Sequence, residues 1–167
     1  MMVQQNISVQ PIWSILETVM DPEVPVLSVI DLGIIRDVKW NNEEVEVIIT
    51  PTYSGCPAMD VITMTIKMKL LENGFKKVKV ISVLSPAWTT DWMSEEGKQK
   101  LKAYGIAPPN PKQQVCNDSL FAVNETVQCP RCNSFHTHRV SEFGSTACKA
   151  LYQCDDCREP FDHFKCH

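Results

Sequence analysis

Two cysteine pairs, "CPRC" (Cys129, Cys132) and "CDDC" (Cys154, Cys157), stand 21 residues apart near the end of the chain. Each C-x-x-C pair fits a tight knuckle whose two thiolates can reach one ion at about 2.3 Å. Four thiolates in a tetrahedral array suit Zn²⁺, ahead of a rubredoxin-like iron. Such a closed site has no open position for substrate, so the spacing predicts a structural zinc. The stretch between the pairs, "SFHTHRVSEFGSTACKALYQ", alternates like two strands around "FGST". Knuckle, hairpin, knuckle is the layout of a β zinc ribbon, and about 40 residues bury too little apolar surface to fold without such a staple.

A fifth thiol has a different setting. In "TPTYSGCPAMD", Cys56 lies between a strand-like run and a helix-like run. Pro57 at the first helical position puts Cys56 at or just before the N-cap. Unsatisfied amides and the positive end of the helix dipole favour a thiolate there, the form that attacks electrophiles or binds metal. Packing residue, nucleophile and transient ligand are all open readings of Cys56 at this level. A hydrolase built on it needs a base, and no histidine precedes His136, so His136, His138, His163 or His167 would have to supply one. The four histidines read as exposed polar positions rather than ligands. Of the eight cysteines, Cys116, Cys148 and Cys166 remain. They are either small buried hydrophobes or candidates for a second, labile centre taking iron or an iron–sulfur cluster.

The elements that must position these groups follow from periodicity. Ile12, Ile15, Leu16, Val19 and Met20 predict a helix over 12–20 that stops at "DPEVPV". "GIIRDVKW" and "EEVEVIIT" predict a hairpin, with Val45, Val47 and Ile49 on one face. Over 59–71, Val61, Met64, Met68 and Leu71 recur at helical steps with Ile62 and Ile66 beside them, and Gly74 closes the helix. "KKVKVISVL" is a third strand of an antiparallel or mixed sheet, and "SEEGKQKLKAYG" a last helix capped by Ser94. Trp88 and Trp92 in the loop between them are either half-buried lids over the sheet or anchors for a partner. The expected fold is α+β: a helix–strand–strand–helix–strand–helix domain over 1–104, a Pro-rich linker over 105–127, and a C-terminal β zinc ribbon over 128–167.

Composition limits function further. The 167 residues are 44% hydrophobic and 22% charged with net charge −4, as in a soluble globular protein. Residues 128–167 hold five Lys/Arg and five Asp/Glu, so nothing basic recommends nucleic acid as a partner. No run is apolar enough for a membrane span, and "MMVQQNISVQ" has neither region of a secretory signal. A cytoplasmic, reducing location is expected, where clustered thiols serve metals rather than disulfides.

"DPEVPVLSVIDLGIIRDV", "TPTYSGCPAMDVI" and "LSPAWTTDWMSEEGKQKLKAYGIAPP" resemble the small iron–sulfur-assembly domain of SufT-like proteins and cytosolic iron–sulfur targeting factors. Joined to "CPRCNS" and "VSEFGSTACKALYQCDDCREPFDHFKC", they make the chain from Pro11 to Cys166 resemble the PaaD family, D subunits encoded with phenylacetyl-CoA epoxidase genes. The resemblance implies an accessory protein of phenylacetate degradation rather than an enzyme. It would deliver or insert iron or an iron–sulfur cluster into the di-iron oxygenase or iron–sulfur reductase component. Cys56 matches the family's "CP" cysteine and is the implied transient ligand, shared across a homodimer if one forms. Asp21, Pro22, Glu23 and Asp31 match its acidic and proline loop, whose carboxylates would support the metal; helix-stop and turn residues around Pro22 are the equal alternative. A structural subunit without metal traffic is the alternative, and a Cys56 hydrolase a lesser one.

Overall fold

Helix α1 (Gln10–Leu16) opens on Pro11 in its first turn, where a missing N–H goes unnoticed, and buries Ile12 and Leu16. The computed structural model describes residues 9–40, 43–109 and 126–165. α1 ends four residues short of the expected Met20. The Thr18 hydroxyl and amide both turn back to the Ile15 carbonyl, and Met20 leaves the helix to bridge Ser28. Val19 still reaches the core from this turn.

The chain divides into two compact units, Met1–Trp88 and Thr89–His167. In the first, β1 (Ile35–Trp40) runs antiparallel to β2 (Glu44–Ile49), and β3 (Lys77–Ser82) lies parallel to β2 on its other side. The sheet is therefore mixed. A parallel pair needs a crossover, and α2 (Ala58–Glu72) supplies it, packing on β3 and α1. Alternation along β2 works as the pattern requires: Val45, Val47 and Ile49 are buried, and Glu46 faces out to pair with Lys79 of β3 at 3.8 Å.

α2 departs from expectation in which side it buries. Ala58, Ile62, Ile66 and Leu70 face the core, whereas the stripe Val61, Met64, Met68 and Leu71 is exposed. Two apolar rows share this helix, and periodicity cannot tell which one the sheet will take. Gly74 ends the helix at φ +91°, a left-handed turn suited to glycine. Trp88 is no lid or partner anchor: it is 3% exposed and its indole N–H donates to the Leu32 carbonyl at 2.9 Å.

The second unit begins with a 3-10 turn (Thr90–Trp92) and α3 (Glu95–Tyr104). Ser94 caps α3 as expected, its hydroxyl accepting the Gly97 N–H at 2.9 Å. Beyond α3, Ala107 pairs in parallel with His163, donating its N–H to Asp162 and accepting one from Phe164. The ribbon has three antiparallel strands, β4 (Thr137–Ser141), β5 (Lys149–Cys154) and β6 (Pro160–Phe164), in that order. The hairpin β4–β5 was legible; β6 was not. Its own core is small: Ala107, Val127, Cys129, Ala150, Tyr152, Cys154 and Phe161. Among the described residues no helix is long and apolar enough to cross a membrane.

Candidate metal centre

The two knuckles repeat one backbone device. The Cys129 N–H donates to the Ser134 carbonyl at 2.9 Å, and the Cys154 N–H donates to the Glu159 carbonyl at 3.0 Å. The residue after each pair turns left-handed, Asn133 at φ 62° and Arg158 at φ 64°. Asparagine tolerates that conformation well; arginine carries a cost that the closed knuckle offsets. Asp155 and Asp156, inside the second pair, tie it to the chain entering β4. The Asp155 N–H donates to the His136 carbonyl, and its carboxylate meets His138 at 3.0 Å. Asp156 takes the Ser134 hydroxyl and lies 3.3 Å from His136. Those two partners, Ser134 first, hold the Asp156 carboxyl below its usual range.

The four sulfurs of Cys129, Cys132, Cys154 and Cys157 all lie within 4.8 Å of one another. Cys129 and Cys157 are 3.7 Å apart, and Cys132 and Cys154 3.5 Å apart. Thiolates arranged tetrahedrally around Zn²⁺ at about 2.3 Å space their sulfurs about 3.8 Å apart. The cage therefore fits the ion. Cys129 and Cys154 are buried, Cys157 is half-buried and Cys132 is exposed, so the centre lies at the rim of the unit. Backbone amides already point at the sulfurs. The Cys157 amide, against desolvation and with help from the Asp156 amide and the Cys132 thiol, draws Cys154 down to about 7. At Cys132 the Ser134 amide pulls the same way. Desolvation and hydrogen bonds to the other three thiols outweigh it, and Cys132 is pushed up to about 12. Four neighbouring thiols cannot all ionise unaided; a divalent cation removes that repulsion. With all four positions filled by sulfur, such an ion would pin β4, β5 and the knuckles together.

Cys56 stands elsewhere, in the first unit. Gly55 at φ +91° bends the loop leaving β2. The Cys56 N–H donates to the Tyr53 carbonyl at 3.3 Å, and its carbonyl accepts the Met59 N–H at 3.2 Å. Pro57 already has helical dihedrals (φ −67°, ψ −23°), and no side chain caps the first turn of α2. Cys56 is half-buried.

The acidic loop has structural employment. Asp21 accepts the Glu23 and Val24 N–H groups, each at 2.7 Å. Asp31 accepts the Ser28 N–H and hydroxyl at 3.1 and 3.0 Å. Both carboxylates are buried, and each closes a turn in its own loop. Among the described residues, the four ribbon cysteines form the one group of three or more potential ligands within mutual reach. Cys56, Asp21, Glu23 and Asp31 do not make a second.

Of the second-centre candidates, Cys148 is buried, its sulfur 3.0 Å from the Thr146 hydroxyl; Cys116 and Cys166 lie outside the described residues. His136 and His138 are exposed as expected, and His167 lies outside the described residues. His163 is a correction: it is buried on β6, with Nδ1 donating to the Ala107 carbonyl at 3.2 Å. The run "PFDHF" puts it on the same face as Phe161, an alternation that could have marked it as a strand residue. Thr50, after β2, carries no signal in the sequence; its buried hydroxyl has no hydrogen-bond partner.

Comparison with known proteins divides the chain along the same chemistry. Residues 10–83 match the family described as iron-sulfur cluster assembly protein, and residues 113–165 match the PaaD zinc beta ribbon domain. An Escherichia coli protein named as the D subunit of a 1,2-phenylacetyl-CoA epoxidase is 50% identical over 158 residues, covering 95% of this chain and 93% of that protein. An "Fe-S protein maturation auxiliary factor" of Porphyromonas gingivalis is 40% identical over 94 residues, covering 55% of this chain and 89% of that protein. The crystal structure of a domain of unknown function, DUF59, from Bacillus anthracis superimposes with a TM-score of 0.52 at 29% identity, over 55% of this chain and 89% of that one.

Proposed function

Because the chain belongs to the family of the 1,2-phenylacetyl-CoA epoxidase D subunits, we propose that it is a cytoplasmic, non-catalytic maturation factor for such an epoxidase, delivering iron or an iron–sulfur cluster to it. The observation that carries this reading is the Cys56 thiol. It is partly exposed at an uncapped helix start, inside the segment that matches iron–sulfur assembly proteins. A carrier has to hold its cargo and then release it. One cysteine with no ready ring of ligands around it suits release better than a closed cage does. The ribbon, with its ligand set complete, is a zinc-pinned docking module. The receiving component is the di-iron oxygenase or the iron–sulfur reductase.

The carboxylates of Asp21 and Asp31 support the loop geometry in this reading rather than the metal, since backbone N–H groups already occupy them. No histidine lies in residues 1–88, which counts against a Cys56 hydrolase. Replacing Cys56 by Ser in a cell that depends on the pathway tests the proposal. The recipient component should be purified and its iron measured. It should come out metal-poor, with zinc in the ribbon unchanged. A fully metallated recipient would refute the carrier role and leave a scaffold protein, which should then co-purify with the oxygenase in fixed ratio.

A further inference from the structure

Helix α2 is apolar twice over. Its inner row, Ala58, Ile62, Ile66 and Leu70, is spent on the core. On the opposite side Pro57, Val61, Met64, Met68 and Leu71 advance in steps of four, three, four and three. Val61 is 52% exposed, Met64 65%, Met68 53% and Leu71 49%. Single exposed apolar side chains are ordinary; four in a row along one helix are not. The spacing is that of the a and d positions of a heptad, with Val61 and Met68 at a and Met64 and Leu71 at d. Such a stripe is the narrow seam of a coiled coil. A β-branched residue at a with Leu at d favours two strands. Since α1 and β3 already hold the helix, pairing does not have to form it first.

The flanking charges decide the direction. Asp60 and Lys67 take g positions, Thr65 and Glu72 e positions. None of these three charges has an ion-pair partner among the described residues. In a parallel, in-register pair each g position faces the e position five residues on. Lys67 then meets Glu72 of the second copy, twice by symmetry, and Asp60 meets only Thr65. An antiparallel pair that sets Val61 on Leu71 and Met64 on Met68 instead faces g to g and e to e, which opposes Lys67 to its own copy. We propose that two copies of this chain associate through α2, packed parallel about a two-fold axis along the helices. If Cys56 carries metal as argued above, which is a separate proposition, this geometry puts both thiols at the same end of the seam. Each is one residue before it, so two ligands are offered where one chain offers one.

Sedimentation equilibrium on the zinc-loaded full chain tests the interface. The wild type should show a concentration-dependent dimer, and Met68→Glu should stay monomeric with an unchanged circular dichroism spectrum. Lys67→Glu should raise the dissociation constant about tenfold or more. Lys67→Glu with Glu72→Lys should bring it back to within about threefold, because each reversed charge again faces its opposite. A monomeric wild type, whether α2 is covered by the chain's own residues 110–125 or left bare, would overturn the proposal. So would a dimer indifferent to Met68→Glu. So would one that tightens with Lys67→Gln, the antiparallel signature. None of these substitutions removes the thiol. A monomer that still binds iron through Cys56 would therefore overturn the interface alone, and a dimer without Cys56-dependent iron the carrier reading alone.

Discussion

Buried His163 adds to the acid sensitivity of the ribbon. The side chain is 5% exposed, its Nδ1 bonded to the Ala107 carbonyl and its ring edge-on to Tyr152 at 5.5 Å between centroids. Burial takes its pKa from 6.5 down to about 4, against the raising effect of the Ala107 carbonyl. Between those values the unfolded chain binds a proton that the folded chain refuses. The stability gained by keeping the imidazole neutral is complete above about pH 6.5, declines as pH falls, and is gone near pH 4. A drop of about 2.5 units corresponds to about 3 kcal/mol in full, of which about 2 kcal/mol falls between pH 7 and pH 5. His163→Gln keeps an N–H for Ala107 but cannot take the proton. Urea unfolding at fixed free zinc, read from the amide resonances of β5 and β6, should show the variant less stable than the wild type at pH 7. That gap should narrow by about 2 kcal/mol at pH 5. The thiolates titrate in both proteins and drop out of the difference. Parallel stability curves would mean that His163 is hydrated or charged in the fold, and the reasoning from burial would fail.

Two further outcomes follow from named contacts. Trp88→Phe keeps a ring but strips the Leu32 carbonyl of its donor, 56 residues away in sequence. It should cost about 1–3 kcal/mol in thermal or urea unfolding of the first unit, and a loss below about 0.5 kcal/mol would show that water replaces the indole. Cys129→Ser or Cys154→Ser removes a fully buried ligand. Either should abolish stoichiometric zinc and melt β4–β6 while leaving the amide spectrum of β1–β3 intact; retention of zinc would refute the four-thiolate cage.

What could be read from the sequence was what depends on near neighbours. The four clustered cysteines sit in two C-x-x-C turns, the Ser94 cap acts three residues away, and the alternation of β2 is local. The misses came from choices made by distant parts of the chain. α2 carries two apolar rows, and only the sheet and α1 decide which one turns inward. Trp88 looked free because its partner, Leu32, lies on another loop. His163 looked polar because its acceptor, Ala107, comes from a segment that read as linker. Asp21 and Asp31 could be read equally as ligands or as turn residues; their nearest donors are amides two or three residues off, a turn motif that residue type alone does not separate from a metal site.

Metal analysis of anaerobically purified protein bears most directly on the carrier account. Zinc, iron and acid-labile sulfide should be measured together in the wild type and in Cys56→Ser. Zinc near one per chain in both proteins, with iron in the wild type alone, is the expected result. Iron present equally in both, or absent from both under conditions that load the epoxidase, would contradict it.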